Sequence, residues 1–582
     1  MADEMMKENQ NPVAGTAPEK LLKKLLTRPL PRQKLAAVLK EASGRQLAEI
    51  MLDMNLLDFL RTERALYHDC ETVQKLVLMD ILRANAETEF GRRYGFGGMR
   101  SPEDFRSRVP VTVYGDYARD IERMTRGEEN IIFPGKAVYF YRTSGTTSDY
   151  KSIPESAGEA RARKAINKAR RLEMYANASV RALKRIFGFY NRQTYDRTEA
   201  GIPMGAASGR TVQSVSGFLA RRLAYTPLLV EELTDDALVY SVMRIAIARS
   251  DVSLILGNNA QVLLFYVRYA VQHAREIIDD IRGGTNQFPL PDNIRKAEKK
   301  ALAPNRKRAD ELQKLLDEDR FLPRYYWKNL QMASFWLGGS VGLSVEEVKP
   351  LLPPDMIFMD IGYGASEAKI NIPLKPGTPY GALSVFTGFF EFLPEDGGPP
   401  KMAHELEDGA VYELLLTTYG GLYRYRINDY VRVNGFTGNT PNVCFMTKAG
   451  DIANLVQEKI PGVLLAKSVR SAAEEAGCGY VGCQVYPDRE SMRYVIFLEV
   501  SHLPADREEF ARKMDDCLME QIRHYRMYRV QNRLLEPCAI QWMKSGWTDA
   551  LARQYAKGNA TIAQVKVPVV VNCPPADGYL PM

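Results

Sequence analysis

The chain has 582 residues, 45% hydrophobic and 26% charged, an ordinary globular composition but too long for a single core, so two or more domains are expected. Its 78 Lys and Arg against 71 Asp and Glu leave a net charge of +7, a small excess that argues against a nucleic-acid partner and suits an anionic small ligand. Seven scattered cysteines with no Cys-x-x-Cys pair argue against a disulfide framework and a structural zinc site, and no run approaches the roughly 18 apolar residues of a membrane span. The nearest candidate, residues 262–271, is broken by Arg268.

Residues 1–20 are polar and lack the apolar core of a signal peptide, so a disordered tail and a cytoplasmic protein are expected. Residues 21–92 read as helical, with Leu56, Leu57, Leu60, Leu66, Val77, Leu78, Ile81 and Leu82 at three-to-four spacing. Ser101, Pro102, Glu103 and Asp104 mark a helix start, and 116–126 a further short helix. Tyr139, Phe140 and Tyr141 then alternate like a strand and lead into Thr143, Ser144, Gly145, Thr146 and Thr147. Lys151 and a second edge at Ile153 and Pro154 complete a predicted hairpin. Such a loop offers backbone N–H groups, hydroxyls and one mobile cation, the set that phosphate oxygens need; an ordinary Ser/Thr-rich turn is the alternative.

Residues 161–187 predict a strongly basic helix, read as a solvated face. Ser208, Gly209 and Arg210 lie in a predicted loop, 252–256 is a buried strand, and a long helix is expected over 260–281. Residues 283–308 read as a surface excursion. A buried strand at 330–336 runs into Gly338-Gly339-Ser340-Val341-Gly342, a helix starts at Ser344, and a strand at 356–361 delivers Tyr363, Gly364, Ala365, Ser366 and Glu367. This order implies a parallel crossover with both loops at strand carboxyl ends. Residues 381–433 read as hairpins or a distorted barrel that closes with a loop carrying Tyr423, Arg424 and Asp429. After about residue 440 the pattern becomes a small α+β unit of about 140 residues, with 434–450 as the expected hinge.

A hydroxyl-rich loop, then Tyr-Gly-x-Ser-Glu, then Tyr-Arg-x-x-Asp is the motif order of adenylate-forming enzymes. The chain resembles one branch of them, the acyl-acid amido synthetases known in plants as the auxin-inducible Gretchen Hagen family. Further pieces carry the resemblance: residues 88–96 (TEFGRRYGF), 389–394 (FFEFLP), 417–426 (TTYGGLYRYR) and 564–568 (QVKVP). The resemblance implies a mixed α/β fold: a large N-terminal adenylation domain at 21–436 with mixed sheets and a barrel-like part, and a mobile α+β lid at 437–582. It implies a ligase that joins a small carboxylic acid to AMP, releases pyrophosphate and passes the acyl group to an amine or amino acid.

The same resemblance assigns roles. Ser144, Gly145, Thr146, Thr147 and Lys151 would hold the β- and γ-phosphates of ATP. Tyr363, Gly364, Ala365 and Ser366 would line adenine and the α-phosphate, beside the turn at Gly339 and Ser340. Glu367 would hold Mg2+, with a helix-cap carboxylate as its alternative; Asp429 would accept from both ribose hydroxyls; Lys566 would reach the α-phosphate from the lid. Related proteins carry glycine where Ser148 and Asn428 stand; Asn tolerates the left-handed region better than most residues. The expected partners are the acid and amine substrates, with no nucleic acid, no membrane and a monomeric chain. The acid pocket is sought at 260–271 and 208–215. Three alternatives stay open: an acyl-CoA ligase, a degenerate ATP-binding module, and a serine hydrolase that uses Ser340 in Gly-x-Ser-x-Gly with His404, His502 or His524.

Overall fold

Apolar residues at three-to-four spacing build helix α1 (Cys70–Ala84), which buries Val73, Val77, Leu78, Ile81 and Leu82. The computed structural model describes residues 63–142, 151–177, 184–213, 222–395, 397–456, 458, 460–531, 533–555 and 567–580. Contacts group the chain into two units. The first holds the chain up to Leu337, then 344–427 and 432–444; the second holds Gly338–Leu343, Asn428–Val431 and everything from Phe445. The boundary expected from sequence is 436/437.

In the first unit, α2 (Glu89–Tyr94) is capped by Thr88, whose hydroxyl accepts the Gly91 N–H, and ends at Gly95 with φ 70°. Helix α3 (Pro102–Arg108) carries the predicted start: the Ser101 hydroxyl accepts the Asp104 N–H and the Asp104 carboxylate accepts the Ser101 N–H. Helix α4 (Tyr114–Thr125) comes next. Strands β1 (Tyr139–Arg142) and β2 (Ser152–Glu155) pair antiparallel with Tyr141 opposite Ile153, so the hairpin forms as predicted. Its loop, 143–150, lies outside the described residues.

Helix α5 (Ala157–Asn177) is shorter than the predicted 161–187 segment at its C-terminal end. Phe187 instead belongs to β3 (Arg185–Gly188), where its ring is fully buried in a parallel sheet. Strands β4 (Asp196–Arg197) and β5 (Pro203–Gly205) join the hairpin in the order β2-β1-β5-β4. Ser208, Gly209 and Arg210 sit on a short helix, α6 (Ala207–Gln213), which corrects the predicted loop. Helix α7 (Asp235–Ala248), apolar around most of its circumference, precedes β6 (Val252–Leu256). The expected long helix is two, α8 (Ala260–Gln272) and α9 (Ala274–Gly283), because His273 leaves helical geometry at φ −106°, ψ 25°. The predicted excursion at 283–308 is also corrected: it holds short helices and buries Glu298 and Arg308. Arg308 donates to the carbonyls of Ile247 and Tyr326, while Glu298 pairs with Arg249.

Strand β7 (Met332–Phe335), helix α10 (Ser344–Val348) and β8 (Ile357–Asp360) complete a four-stranded sheet, order β3-β6-β7-β8, parallel throughout. The predicted barrel-like part is one seven-stranded sheet. It runs β9 (Asn371–Pro373), β10 (Gly381–Leu383), β11 (Gly388–Pro394), β12 (Lys401–Met402), β13 (Val411–Thr418), β14 (Tyr425–Thr437) and β15 (Thr440–Lys448), in the order β12-β11-β13-β14-β15-β10-β9. Residues 425–429, read as part of a loop, lie in β14, where Tyr425, Ile427, Asp429, Val431 and Val433 alternate inward. The expected hinge at 434–450 is mostly this β14–β15 ladder, with a 3-10 turn at Ala449–Asp451.

The second unit is α+β. It contains α11 (Gly462–Glu475), β16 (Tyr480–Asp488), β17 (Arg493–Val500), α12 (Arg507–Gln521) and β18 (Ala539–Trp542). Its sheet order is β16-β17-β18, and Leu465, Val469, Val485, Ile496, Phe510, Met514 and Leu518 form the core. All seven cysteines are unpaired, and no described helix is long and apolar enough to cross a membrane.

Candidate active site

Strand β8 ends at Asp360, whose carboxylate accepts the Leu337 N–H at 2.7 Å and the Gly362 N–H at 2.6 Å. Burial pushes this carboxyl up to about 6, against the pull of those two donors and the nearby Arg170. The chain then turns at Gly362, φ +93°, where a Cβ would lie 2.4 Å from the Arg170 guanidinium. Beyond the turn, residues 363–370 fold into a tight hairpin. Tyr363 N–H donates to Asn371 Oδ1 at 2.7 Å, Ala365 N–H to Ala368 O at 2.8 Å and Ile370 N–H to Tyr363 O at 3.0 Å. Trp336 Nε1 donates to Gly362 O at 3.1 Å. Glu367 sits at the hairpin tip, half-buried, and no helix begins there, so the helix-cap alternative is corrected.

Two arginines of α5 hold this hairpin. Arg163 is buried; its Nε donates to Glu159 at 2.7 Å, its Nη2 donates to the Ser366 carbonyl, and its guanidinium stacks 4.3 Å from the Tyr141 ring centroid. Seven residues on, two helical turns along the same face, half-buried Arg170 donates to Tyr363 O at 2.6 Å and to Asn371 O at 2.9 and 2.7 Å. Burial lowers the Arg170 guanidinium to about 10. Reading the whole basic run as solvated misses both residues. The sequence does hold the signal: Ala162, Ala165, Ile166 and Ala169 mark the buried stripe on which both arginines lie.

The β1–β2 hairpin has its own supports. Tyr141 donates its hydroxyl proton to Glu155, and Arg210 reaches the same carboxylate at 3.0 Å while its guanidinium lies 5.0 Å from the Tyr139 ring. Lys151 Nζ lies 5.4 Å over the Tyr114 ring, whose hydroxyl accepts the Ser152 N–H at 3.0 Å. Ser144, Gly145, Thr146 and Thr147 fall outside the described residues.

In the run 423–426 most residues are cement. Tyr423 donates to Ile132 O at 2.6 Å and packs on Phe90 and Phe96, with ring centroids 4.6 and 5.0 Å away. Arg424 makes a two-pronged pair with buried Glu391 at 3.0 and 3.1 Å and donates to Val109 O at 2.8 Å. Arg426 pairs with Glu413 through two bonds of 2.6 Å. The fragments 88–96, 389–394 and 417–426 are therefore one packed assembly.

Within the second unit, Gly339 is left-handed at φ +64° and Ser340–Leu343 form a 3-10 turn, with the Phe445 ring 3.0 Å from where a Gly339 Cβ would be. A nucleophile elbow puts the serine on a sharp turn directly between strand and helix, whereas four residues separate the end of β7 from Ser340, which opens a 3-10 turn. His502 is exposed and bonded to its neighbour Ser501. Asn428 adopts φ 61°, the left-handed conformation expected where glycine is usual. Asp429 is buried and its Oδ1 meets Lys448 Nζ at 2.5 Å. Asp451 accepts the Val570 N–H at 2.7 Å; burial pushes its carboxyl up to about 6. Lys566, four residues before Val570, lies outside the described residues. The structure thus groups Lys151 and 363–367 in one unit, and Gly339, Ser340 and Asp429 in the other. Among the described residues no cluster of three or more His, Cys, Asp or Glu could hold a metal on its own.

Comparison with known proteins agrees with this architecture. Three family models match in order: the GH3 family N-terminal domain over residues 60–357, its central domain over 381–448 and its C-terminal domain over 465–575. The chain is 25% identical to an indole-3-acetic acid-amido synthetase of Arabidopsis thaliana (GH3.3), over 89% of this chain and 92% of that protein. Its fold matches the AtGH3.15 acyl acid amido synthetase in complex with 2,4-DB at a TM-score of 0.78 with 20% identity, covering 92% and 95% of the two chains. It matches 2-hydroxyisobutyryl-CoA ligase at a TM-score of 0.52 with 11% identity, covering 86% and 89%. With the N-terminal-domain model alone spanning more than half of the 582 residues, the chain belongs to the GH3 family.

Proposed function

We propose that this protein is an ATP-dependent acyl-acid amido synthetase. It joins a small carboxylic acid to AMP with loss of pyrophosphate; an amine or amino acid then attacks the acyl carbon and AMP leaves. Carboxylates do not react with amines at neutral pH, so activation is the hard step, and positioning with charge stabilisation does most of the work. The observation that carries this reading is the hairpin at 363–370. It stands at the carboxyl end of a parallel sheet, locked by Arg163 and Arg170, with the β1–β2 hairpin tied to the same helix.

In this reading Ser144, Gly145, Thr146, Thr147 and Lys151 hold the β- and γ-phosphates, and Tyr363, Gly364, Ala365 and Ser366 line adenine and the α-phosphate beside Gly339 and Ser340. Asp429 accepts from the ribose hydroxyls, and Lys566 meets the α-phosphate from a lid that begins near residue 437. Glu367 is a single, half-buried carboxylate at the hairpin tip, which fits Mg2+: that ion takes one or two carboxylates and fills its remaining positions with phosphate oxygens and water. When bound it would neutralise phosphate charge. Seven unpaired thiols suit the cytoplasm.

The test is a screen of carboxylic acids for pyrophosphate release, followed by mass spectrometry with mixed amines and with coenzyme A. An amide product is expected. A thioester in its place would make the protein an acyl-CoA ligase, and no pyrophosphate with any acid would leave a binding module.

A further inference from the structure

We propose that Arg163 is a positioning residue that locks the Tyr363–Glu367 hairpin to the phosphate-loop hairpin, so that both motifs of the first unit are held in one geometry. This rests on the proposed nucleotide site and adds a residue that none of the three sequence motifs contains. The guanidinium has three partners on three elements. Its Nη2 donates to the Ser366 carbonyl, immediately before Glu367. Its flat face lies 4.3 Å from the ring of Tyr141, two residues before the hydroxyl-rich loop begins. Its Nε donates at 2.7 Å to Glu159, one turn back on the same helix.

A buried arginine is costly, and an apolar residue would fill this stripe of α5 more cheaply. Arginine's planar fork can stack on an aromatic ring and donate sideways to a carbonyl and a carboxylate at the same time. Lysine has a point charge and no flat face. The contact therefore couples two separate loops through one rigid group. The network continues beyond Tyr141: Glu155, which receives its hydroxyl proton, is itself paired with Arg210. A shift of β1 would move Tyr141, hence Arg163, hence the Ser366 carbonyl.

The experiment compares the wild type with Arg163→Lys and with the double variant Arg163→Met/Glu159→Gln, which leaves no lone buried carboxylate at 159. Hydrogen exchange of the full-length, ligand-free protein is read at the amides of 363–370, alongside ATP affinity by calorimetry and the thermal midpoint. The expected result is at least fivefold faster exchange at 363–370 in both variants. Exchange in β11 and β17 should be unchanged, and ATP should bind about tenfold more weakly. A merely structural role would lower the thermal midpoint and quicken exchange everywhere. Hairpin exchange equal to wild type, or ATP affinity within twofold of it, overturns the proposal while the nucleotide reading stands. A wild type that binds no ATP overturns both.

Discussion

The hairpin at 363–370 and the run 423–429 both carry recognised motifs, yet they use their residues in opposite ways. In the hairpin the backbone is gripped by side chains from elsewhere: Arg163 and Arg170 on α5 donate to its carbonyls, and Asn371 on β9 accepts the Tyr363 N–H. In the second run the side chains themselves do the gripping. Tyr423, Arg424 and Arg426 are spent on Ile132, Glu391 and Glu413, and the candidate ligand group, Asp429, is itself paired with Lys448. A motif is therefore not a list of active-site residues: part of it can be there to build the wall on which one carboxylate stands.

That contrast can be broken or sharpened by substitution. The largest effect is expected at Arg424→Ala, which leaves buried Glu391 with Arg106 as its remaining cation and strips the Val109 carbonyl of its donor, and should cost about 3 kcal/mol in chemical denaturation. A cost below about 1 kcal/mol would mean that Arg424 is not cement. Next comes Asp360 under the hairpin. Its folded-state carboxyl lies at about 6 against 3.8 in a free side chain, so the folded state holds the proton more tightly. Stability from this group is complete below about pH 4 and is lost as the pH rises through 6, a slope worth about 3 kcal/mol in all. Asp360→Asn should remove that part of the slope; identical pH profiles of stability for the two proteins would refute it.

Asp429→Ala separates ligand from wall. It should weaken ATP binding about tenfold or more, the worth of hydrogen bonds to a charged group, while changing stability far less than Arg424→Ala. Unchanged ATP affinity in calorimetry would remove Asp429 from the ribose. The smallest change is expected next door: Asn428→Gly should shift stability by less than about 1 kcal/mol, because both residues accept φ 61°. Asn428→Val should fall well outside that window, and equal midpoints for the two variants would show that the left-handed turn is not needed.

Much of the architecture is legible because local chemistry and burial agree. The Ser101–Asp104 cap, the β1–β2 edges, the buried strand at 252–256 and the small α+β unit all follow from caps, alternation and periodicity. Residue 187 is misread because a basic run continues past the end of α5, and charge says nothing about where a helix stops. The excursion at 283–308 is misread because Glu298 and Arg308 look like surface residues until their partners, Arg249 and the Ile247 carbonyl, are seen. Arg163 and Arg170 escape notice because their run is read by its charge: the small apolar residues Ala162, Ala165, Ile166 and Ala169 mark their stripe as buried, while the carbonyls they serve lie some 200 positions away. Asn428 goes the other way: the resemblance puts glycine at its motif position, and asparagine tolerates the left-handed region, so φ 61° could be anticipated.

The indole of Trp336 donates to the Gly362 carbonyl at the root of the hairpin. Only four tryptophans are present in the chain, so this one gives the hairpin a natural optical gauge. Once Trp327, Trp542 and Trp547 are replaced by phenylalanine, its emission colour would report changes at the root of the hairpin during an ATP titration, with no dye attached.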